Sequence, residues 1–450
     1  MNQNNTKSEW ITAVYPWIIW TVAAGFFFYK YLVQVSPSVM TADLMKAFQV
    51  NGAGLGNLSA FYFYAYLLMQ IPVGIMLDRY SPRLITTCAI FICSASTFVF
   101  SMSNTLWLAS ISRALMGAGA AFAAVSCFKL ASVWFAPKRF AFVSGMFMTA
   151  AMLGAVFGQM PLSLLVQQVG WRQALVVISA LGLALCVIYA LIVRDKPVPR
   201  GVPDKKRHQN IGQLLKHIVT NRQAWFLSLY SGFAFAPVSV FGGLWGVPFL
   251  QEAYQLTRTD AAFAVSCIFI GFAVGAPFLG WLSDHMGRRK PILYMGTLLA
   301  IFCLSVVIYS QHLSLASLVV FLFLFGFGSS GFFTSFAMIR ELFPIVLAAT
   351  VLGIMNTFDS VCEALYEPLV GAFLDWTWEG ASLNGVHHFS LHGYHLSLVL
   401  LPLSLLLALV TLFLIKETYC HSNEDTDWEV GGNNTSKKKS DARMPLSAKV

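Results

Sequence analysis

The sequence predicts an all-helical integral membrane protein whose twelve transmembrane helices form two pseudo-symmetric six-helix halves. Hydrophobic residues make up 57% of the 450 residues and charged residues only 11%, whereas a soluble domain averages about 25% charged residues. The mean hydropathy of +0.67 agrees with this composition. The apolar residues also gather into runs of about 20, the length that crosses a bilayer as a helix. These observations place the chain in a membrane.

Twelve such runs follow one another along the chain. A strand of a membrane barrel is about half as long and alternates in polarity, so the runs exclude a barrel. We expect the transmembrane helices at 14–37, 53–77, 84–101, 105–128, 140–164, 171–193, 223–250, 260–283, 291–311, 313–339, 346–374 and 393–415.

Two polar segments divide the chain. Residues 195–222 are rich in proline and charge, and residues 417–450 have almost no apolar content. A segment that cannot bury apolar surface stays solvated and disordered. We therefore expect six-helix halves at 1–194 and 223–416, a cytoplasmic linker at 195–222 and a disordered cytoplasmic tail at 417–450.

The net charge of +9 is an orientation signal. Of the 29 Lys and Arg residues, 23 lie in segments on one side of the predicted membrane, and only Lys46, Arg172 and Arg258 lie in segments on the other. Cytoplasmic loops carry the excess of Lys and Arg, so both termini are expected in the cytoplasm. The first run is too long for the apolar part of a cleavable signal and carries Lys30, so we expect a retained helix. The basic residues therefore indicate a bilayer and not a nucleic-acid partner.

Two features of the first half return in the second at nearly the same spacing. Gly74–Asp78 follows the second run, and Gly280–Asp284 follows the eighth, 206 residues later. A Gly also follows a Phe by ten residues in both halves, in Phe135–Gly145 and in Phe343–Gly353, and these two segments lie 208 residues apart. This agreement predicts an internal repeat. In carriers built from two such repeats, the binding site lies between the halves near the bilayer midplane.

Three acids lie inside the eleventh run. Asp359, Glu363 and Glu367 recur every fourth residue and therefore share one helix face. A charge at the bilayer centre costs about 2.5–3.5 kcal/mol or more, and such residues mark ion and solute pathways. We expect Asp359 or Glu363 to couple protons, with a static ion pair to Lys30 or Arg113 as the alternative, because burial and a nearby cation act on a carboxyl in opposite directions. Glu367 lies nearer the outer face and is expected at the pore mouth or in a structural role.

Polar residues on the first, second and fourth runs are candidates for a substrate site. They are Lys30, Gln34, Tyr62, Tyr66, Gln70 and Arg113. The first two are four residues apart, and the two tyrosines and Gln70 also recur every fourth residue, so each set shares one helix face. A buried tyrosine hydroxyl needs a partner, which favours a cavity lining over interfacial packing. Arg113 stays charged in any site, and either a substrate carboxylate or a buried acid would pair with it.

The loops after the second and eighth runs resemble a motif of a known family. They read Gly74-x-x-x-Asp78-Arg79-Tyr80-Ser81-Pro82-Arg83 and Gly280-x-x-x-Asp284-His285-Met286-Gly287-Arg288. Both resemble the major facilitator superfamily signature Gly-x-x-x-Asp-(Arg/Lys)-x-Gly-x-(Arg/Lys), although Ser81 replaces its second Gly and His285 replaces the cation after Asp284. The resemblance implies the fold of that family and a cytoplasmic gate latched by Gly74, Asp78, Arg79, Arg83, Gly280, Asp284 and Arg288.

A narrower resemblance covers the first two runs. Residues 28–40, FYKYLVQVSPSVM, and 62–74, YFYAYLLMQIPVG, are similar to the phagosomal transporter (Pht) carriers of bacteria that grow inside host cells. The resemblance implies uptake of amino acids or nucleosides, together with protons, across a bacterial inner membrane.

We therefore expect a monomeric carrier that imports a small polar nutrient by rocking its two halves. The sequence has no phosphate-binding loop, nucleophile–base arrangement or paired-cysteine motif, so we expect no cofactor, no metal and no enzyme activity. The histidines at 387, 388, 392 and 395 are expected to lie in a solvated outer loop.

A proton-antiport exporter of drugs or siderophores is an alternative function for this chain, although the intramembrane charges favour a small charged solute. A non-transporting membrane receptor is a further alternative, but it would not need these buried charges.

Overall fold

The computed structural model describes residues 3–135, 137–195, 218–310, 312–343, 348–383 and 386–420. Helices make up most of this part of the chain, as the composition predicts. The first half contains α1 (Gln3–Val35), α2 (Thr41–Phe48), α3 (Gly52–Arg79), α4 (Pro82–Met102), α5 (Leu106–Ala120), α6 (Phe122–Trp134), α7 (Pro137–Phe157), α8 (Met160–Val169) and α9 (Trp171–Ile192). The second half contains α10 (Arg222–Val240), α11 (Gly246–Tyr254), α12 (Arg258–Met286), α13 (Lys290–Tyr309), α14 (Leu315–Ser329), α15 (Phe333–Leu342), α16 (Ala348–Trp376), α17 (Leu391–Leu398) and α18 (Leu400–Leu414).

Short irregular segments separate several of these helices. Ser36–Val39 forms a 3-10 helix after α1, and Ser330–Phe332 forms another between α14 and α15. Phe241–Trp245 forms a π-helix between α10 and α11. Strands β1 (Ser382–Leu383) and β2 (Val386–His387) form a small antiparallel hairpin before α17. Such irregular backbone is tolerated at membrane depth only where protein or a water-filled cavity surrounds it.

The helices form twelve segments of membrane-crossing length in the described chain. Ten segments are long and apolar enough to span a bilayer, and several of these join two consecutive helices, such as α5 and α6. The other two are α3 and α16, which contain 28 and 29 residues. They carry the tyrosine stripe and the acid stripe of the predicted site. The predicted twelve-helix, all-α fold is therefore confirmed.

Large apolar side chains cover the outside of the bundle. Leu68, Trp107 and Phe413 are 74%, 75% and 75% exposed, and many other large apolar residues are also exposed. Soluble monomers rarely expose contiguous apolar surface on this scale. The exposed surface therefore fits a protein surrounded by lipid.

Glycines allow α3 and α16 to pack backbone against backbone across the two halves. A Cβ added at Gly371 would lie 2.2 Å from the Gly52 carbonyl oxygen, and one added at Gly56 would lie 2.5 Å from the Glu367 carbonyl oxygen. Small residues at helix interfaces permit this close approach within a membrane. The helices that carry the predicted site residues are thus also the helices that join the halves.

Polar contacts close the predicted outer end of the molecule. The Asp375 carboxylate at the end of α16 accepts hydrogen bonds of 2.8 and 2.7 Å from the backbone N–H groups of Gly52 and Ala53, which begin α3. Arg258 of the second half forms a 2.9 Å ion pair with Asp43 of the first. These contacts between the two halves close the molecule at its predicted outer end. At the opposite end, Arg289 forms ion pairs with Asp284 and Glu341 of its own half.

The predicted linker and tail fall largely outside this structure. Residues 196–217 of the linker and 421–450 of the tail lie outside the described residues. The predicted domain boundaries accordingly stay predictions.

Candidate functional site

A polar cavity lies between the two halves. Its lining from the first half consists of Lys30, Tyr31, Gln34, Tyr62, Phe63 and Tyr66. Its lining from the second half consists of Phe235, Asn356, Asp359, Ser360 and Glu363. The cavity thus brings together one ammonium, two carboxyls, two amides and several aromatic rings from four helices.

Helix α1 supplies the cation of this cavity. Lys30 is 6% exposed, and its Nζ donates a 2.6 Å hydrogen bond to Oε1 of Gln34, one helical turn further on. The same nitrogen lies 3.7 Å from the centroid of the Tyr31 ring and 5.1 Å from that of Tyr66. An aromatic face attracts a cation at these distances. The ammonium is therefore held in place by an amide and two aromatic faces.

Helix α3 supplies a tyrosine pair. The rings of Tyr62 and Tyr66 stack with centroids 6.3 Å apart and an interplanar angle of 13°. Among the described residues, no hydrogen-bond partner reaches the buried Tyr62 hydroxyl. Gln70, one turn beyond Tyr66, is not part of the cavity lining. The predicted stripe therefore reaches the cavity only through its two tyrosines.

Helix α16 supplies both carboxyls. Oδ1 of Asp359 accepts a 2.6 Å hydrogen bond from the Ser231 hydroxyl of α10. Glu363 lies within electrostatic reach of Lys30, and its Oε1 has no hydrogen-bond partner in the described chain. The sequence analysis did not select Asn356 or Ser360, which also line the cavity. Their spacing to the acids places them on the same helix face, and this periodicity is a signal that would have found them.

Arg113 lies behind the cavity wall and does not line the cavity. Its guanidinium carbon is 5.1 Å from the Tyr62 ring centroid, and the residue is 1% exposed. Nη1 donates to the Val33 carbonyl oxygen at 3.2 Å, and Nη2 donates to the Ser59 carbonyl oxygen at 3.4 Å. The structure thus separates Arg113 from Lys30, with which the sequence analysis grouped it.

Glu367 is buried at the interface of the halves. It is only 1% exposed in this structure, whose predicted outer end is closed. Its carboxylate is close to the Ser59 hydroxyl and within electrostatic reach of Arg113. The third acid therefore belongs with Arg113 and the first two acids with Lys30.

A second, more apolar cavity adjoins the first. It shares Tyr31, Gln34 and Phe235 with the first cavity. Its remaining lining residues are Val35, Met152, Val238, Ser239, Phe269 and Phe272.

In the loop between α3 and α4, Ser81 and Arg83 bind the end of the sixth span. The Ser81 hydroxyl and the backbone N–H of Arg83 both donate to the Asp195 carboxylate, and the Arg83 guanidinium donates to the Ala190 carbonyl oxygen. The side chain of Asp78 lies outside the described residues, and Arg79 is exposed. A Cβ at Gly74 would meet no atom within 4 Å, so local packing does not require a glycine there.

In the loop between α12 and α13, Arg289 and not Arg288 binds Asp284. Its guanidinium forms ion pairs with Asp284 at 2.5 Å and with Glu341 at 2.7 Å. Burial lowers the pKa of the Arg289 guanidinium, but its hydrogen bonds to Glu341 and Asp284 outweigh burial and raise that pKa above its ordinary value. Gly280, like Gly74, has open space around it. The described ion pairs of this loop therefore centre on Arg289.

The outer-loop histidines contact acids of the second half. Nε2 of His388 lies 3.1 Å from Oε2 of Glu252, and Nδ1 of His387 lies 3.7 Å from Oδ1 of Asp375. The described residues contain no group of three or more His, Cys, Asp or Glu side chains that could hold a metal ion.

These features define a class of protein. Twelve membrane-crossing helical segments enclose a cavity with buried charges between two halves, which is the architecture of a membrane carrier. The chain belongs to the Major Facilitator Superfamily, which matches residues 19–246 and 232–430. The relatives described next are transporters, and the membrane sensor protein UhpC of Salmonella typhimurium also matches, at 22% identity over 61% of this chain and 65% of that protein.

Relatives found by sequence comparison share a quarter or less of their aligned residues with this chain. The uncharacterized transporter YybO of Bacillus subtilis is 25% identical over 295 residues, which cover 61% of this chain and 66% of YybO. A probable hexose phosphate transport protein of Chlamydia pneumoniae is 24% identical, with the same two coverages. The matched region thus spans just under two thirds of the length of these two relatives. The probable galactarate/D-glucarate transporter GarP of Escherichia coli is 23% identical, covering 85% of this chain and 90% of GarP.

Solved structures share the fold. A bacterial homolog of the human lysosomal transporter Spinster, in an inward-facing and unoccupied conformation, has a TM-score of 0.74 at 18% identity, covering 89% of this chain and 97% of that chain. A variant of the nucleoside transporter NupG has a TM-score of 0.70 at 13% identity, covering 88% of this chain and all of that chain. At these identities the likeness concerns the fold alone.

Proposed function

We propose that this chain is a secondary active transporter that imports a small polar solute, with protons, by alternating access. The observation that carries the proposal is the cavity between the halves, where Lys30 of α1 lies among the lining residues with Asp359 and Glu363 of α16. Ionisable groups are costly within a membrane and mark solute pathways and proton relays. Membership of the Major Facilitator Superfamily supports the same proposal.

The proposed solute is an amino acid or a nucleoside. For an amino acid, the ammonium of Lys30 would bind the carboxylate, and Asp359 or Glu363 would bind the amino group. For a nucleoside, the rings of Tyr62 and Tyr66 would stack on the base, while Gln34 would bind polar groups of the base or sugar. Both arrangements use side chains that line the cavity.

A sugar phosphate or sugar acid is the second candidate, because the relatives in Chlamydia pneumoniae and Escherichia coli are named for such solutes. The charges of the cavity argue against it. The described lining contains one cation, Lys30, and two acids, and Arg113 lies outside the lining. An anionic solute would therefore have a single cation to pair with in this lining.

Uptake into proteoliposomes tests the proposal. The panel contains labelled amino acids, nucleosides, a hexose phosphate and glucarate, each with and without an inwardly directed proton gradient. We expect an amino acid or a nucleoside to accumulate only with the gradient. Accumulation of the hexose phosphate or glucarate instead would identify the second candidate, and proton-driven efflux would identify an exporter.

The proposal also covers the location, orientation and oligomeric state of the protein. We propose a monomer in a bacterial inner membrane with both termini in the cytoplasm, as the distribution of Lys and Arg predicts. The loops that contain Asp78 and Asp284 would then gate the cytoplasmic end. Arg289 joins this predicted set because it binds Asp284 in this structure.

A further inference from the structure

In the described chain, breaks in three membrane-crossing segments meet at one place, where the two halves touch toward the predicted outer end. Helix α1 ends in the 3-10 turn Ser36–Val39, residues 158 and 159 separate α7 from α8, and the π-helix Phe241–Trp245 separates α10 from α11. The fully buried side chain of Gln159 contacts the other two breaks. These three breaks form the outer junction. The proposed function gives Gln159 no task.

The π-helix leaves one backbone acceptor without its regular donor. In an α-helix, the N–H of residue 246 would donate to the carbonyl of residue 242, four residues earlier. Here the Gly246 N–H donates to the Phe241 carbonyl oxygen, five residues earlier. The Gly242 carbonyl oxygen instead accepts a 2.6 Å hydrogen bond from Nε2 of Gln159, which lies in the other half. The side-chain amide therefore replaces the donor that the widened turn withdraws, as irregular backbone at membrane depth requires.

The oxygen of the same amide is bound within the first half. Oε1 of Gln159 lies 3.0 Å from the Ser38 hydroxyl, which is also 2.9 Å from the Val35 carbonyl oxygen. The single hydroxyl proton is thus shared between an acceptor at the end of α1 and one on Gln159. A Cβ added at Gly158 would lie 2.5 Å from Cγ2 of Val35, so these two breaks are in direct contact. Gln159 is therefore fixed in the first half and reaches into the second.

The outer junction borders the second cavity. Val35, Val238 and Ser239 line that cavity. Val35 comes directly before the 3-10 turn, and Ser239 comes two residues before the π-helix. Both segments continue from the cavity toward the predicted outer end, so the outer junction lies between the cavity and that surface. Movement at the outer junction therefore also moves residues of the cavity lining.

We infer that Gln159 is a positioning residue of the transport cycle, whose amide holds the three breaks together while the predicted outer end is closed. Opening moves the halves apart and therefore separates Gln159 from Gly242. Water that enters the opening can then bind both groups. In the closed state the two groups depend on each other, because a buried acceptor without a donor is costly. This inference deepens the proposed function and rests on it for the existence of a transport cycle.

The experiment measures the distance across the predicted outer end in the absence of solute. Spin labels at Lys46 and Glu379, which are exposed and lie in opposite halves, report this distance in lipid nanodiscs. The background carries Cys88→Ser and Cys420→Ser, because these two of the eight cysteines are not buried. Before any further substitution, we expect the short distance of the closed form to predominate.

Gln159→Met should raise the ratio of open to closed molecules at least about fivefold. Methionine has a similar length but no donor for the Gly242 carbonyl, and an unsatisfied buried group costs at least about 1 kcal/mol, which corresponds to that factor. Gln168→Met is the matched control, because Gln168 is exposed on α8, the helix that Gln159 precedes. Gln159→Asn, whose amide is one methylene shorter, should shift the ratio in the same direction and replaces Gln159→Met if that variant does not fold.

Ser38→Ala separates positioning from general stability. It should favour the open form by a smaller factor than Gln159→Met does. It should add little to the effect of Gln159→Met in the double variant, because Ser38 acts on the closed form through the same amide. Thermal unfolding of each variant is measured in parallel. A purely structural role would lower the melting temperature and leave the ratio of open to closed molecules unchanged.

A wild-type distance distribution in folded Gln159→Met, or in Gln159→Asn, would overturn the inference. An equal shift in Gln168→Met would also overturn it, as would additive effects of Ser38→Ala and Gln159→Met or a predominantly open form before these substitutions. Because no solute enters the measurement, its outcome is separate from that of the uptake panel. A wrong proposal about the solute would leave the distance result intact.

Discussion

At the scale of single residues, the cavity divides the buried charged groups within the membrane into two sets. Lys30, Asp359 and Glu363 line the cavity, whereas Arg113 and Glu367 lie behind its wall. The Tyr62 ring borders both sets, since it lines the cavity and lies 5.1 Å from the Arg113 guanidinium carbon. A solute in the cavity can contact the charges of the first set. The two charges of the second set lie within electrostatic reach of each other.

Lys30→Gln should weaken the binding of an amino-acid substrate. The ammonium would otherwise form a charge-assisted hydrogen bond with the substrate carboxylate, worth about 1.5–3 kcal/mol, or roughly a tenfold or greater change in Kd. Calorimetric titration of the purified protein measures the effect. Lys129→Gln is the matched control, because Lys129 is a lysine within a span that hydrogen-bonds to the Leu77 carbonyl oxygen and does not line the cavity. Equal affinities in the two variants would contradict a contact between Lys30 and the substrate.

Glu363→Gln should abolish accumulation of the solute and preserve its exchange between equal pools. Gln resembles the protonated acid in shape but cannot release a proton, and exchange requires no change of protonation. Counterflow and gradient-driven uptake in the same proteoliposomes separate the two activities, with Glu379→Gln in an exposed loop as the control. Asp359→Asn is tested in parallel. If both variants still accumulate the solute in response to external acid, neither acid couples protons.

At the scale of helices, neighbouring side chains satisfy carbonyl groups that prolines leave free. Proline has no N–H to donate to the carbonyl four residues earlier. Pro368 of α16 therefore frees the Ala364 carbonyl oxygen, which lies 3.4 Å from the donating Tyr64 hydroxyl of α3. Pro237 of α10 frees the Phe233 carbonyl oxygen, which accepts a 2.8 Å hydrogen bond from Ser404 of α18. Such partners allow prolines within membrane helices. The bond at Ala364 also joins the halves, so opening must release it.

Gly371→Val should prevent full closure of the predicted outer end. Its Cβ would lie 2.2 Å from the Gly52 carbonyl oxygen. This oxygen belongs to the backbone of α3, so it cannot move aside unless the helix moves with it. We expect a predominantly open outer end, measured as a long distance between spin labels at Lys46 and Glu379, which are exposed and lie in opposite halves, and strongly reduced uptake. Gly353→Val is the matched control on the same helix, because a Cβ there meets no atom within 4 Å. A closed, active Gly371→Val protein would show that α3 and α16 need not touch at this point.

At the scale of the whole molecule, the sequence predicts the number of spans and the composition of the cavity better than its geometry. Periodicity places Lys30 with Gln34, and Tyr62 with Tyr66, because helical spacing determines which residues share a face. It does not determine how far each helix is rotated toward its neighbours. Arg113 therefore lies outside the lining and Phe235 of α10 lies within it, while Gln70 shares the face of the two tyrosines but lies one turn beyond the cavity. The pairing of Asp284 with Arg289 also depends on a turn that the motif alone does not define.

Asp375→Asn should shift the whole molecule toward a state open at the predicted outer end. The Asp375 carboxylate joins the halves at the N-terminus of α3, and a carboxylate there contributes about 0.3–1 kcal/mol, or up to ~2 kcal/mol when partly buried. We therefore expect the open population to rise severalfold in the spin-label measurement. Asp260→Asn is the control, because Asp260 lies in the first turn of α12 and contacts Thr257 of its own half. An unchanged distance distribution in Asp375→Asn would contradict this role.

The acid stripe of α16 also has a consequence for biogenesis. Insertion by the translocon costs about 2.5–3.5 kcal/mol for each aspartate near a helix centre, and α16 carries two glutamates besides Asp359. Helix α3, which packs against it, is synthesised much earlier. We predict that α16 alone inserts poorly, whereas α18 alone inserts well, and glycosylation mapping of each segment in a reporter protein measures the difference. Efficient insertion of isolated α16 would contradict this prediction. The nascent chain would then acquire its final topology only when α16 reaches the earlier helices, so the charges that serve the cavity would also delay assembly.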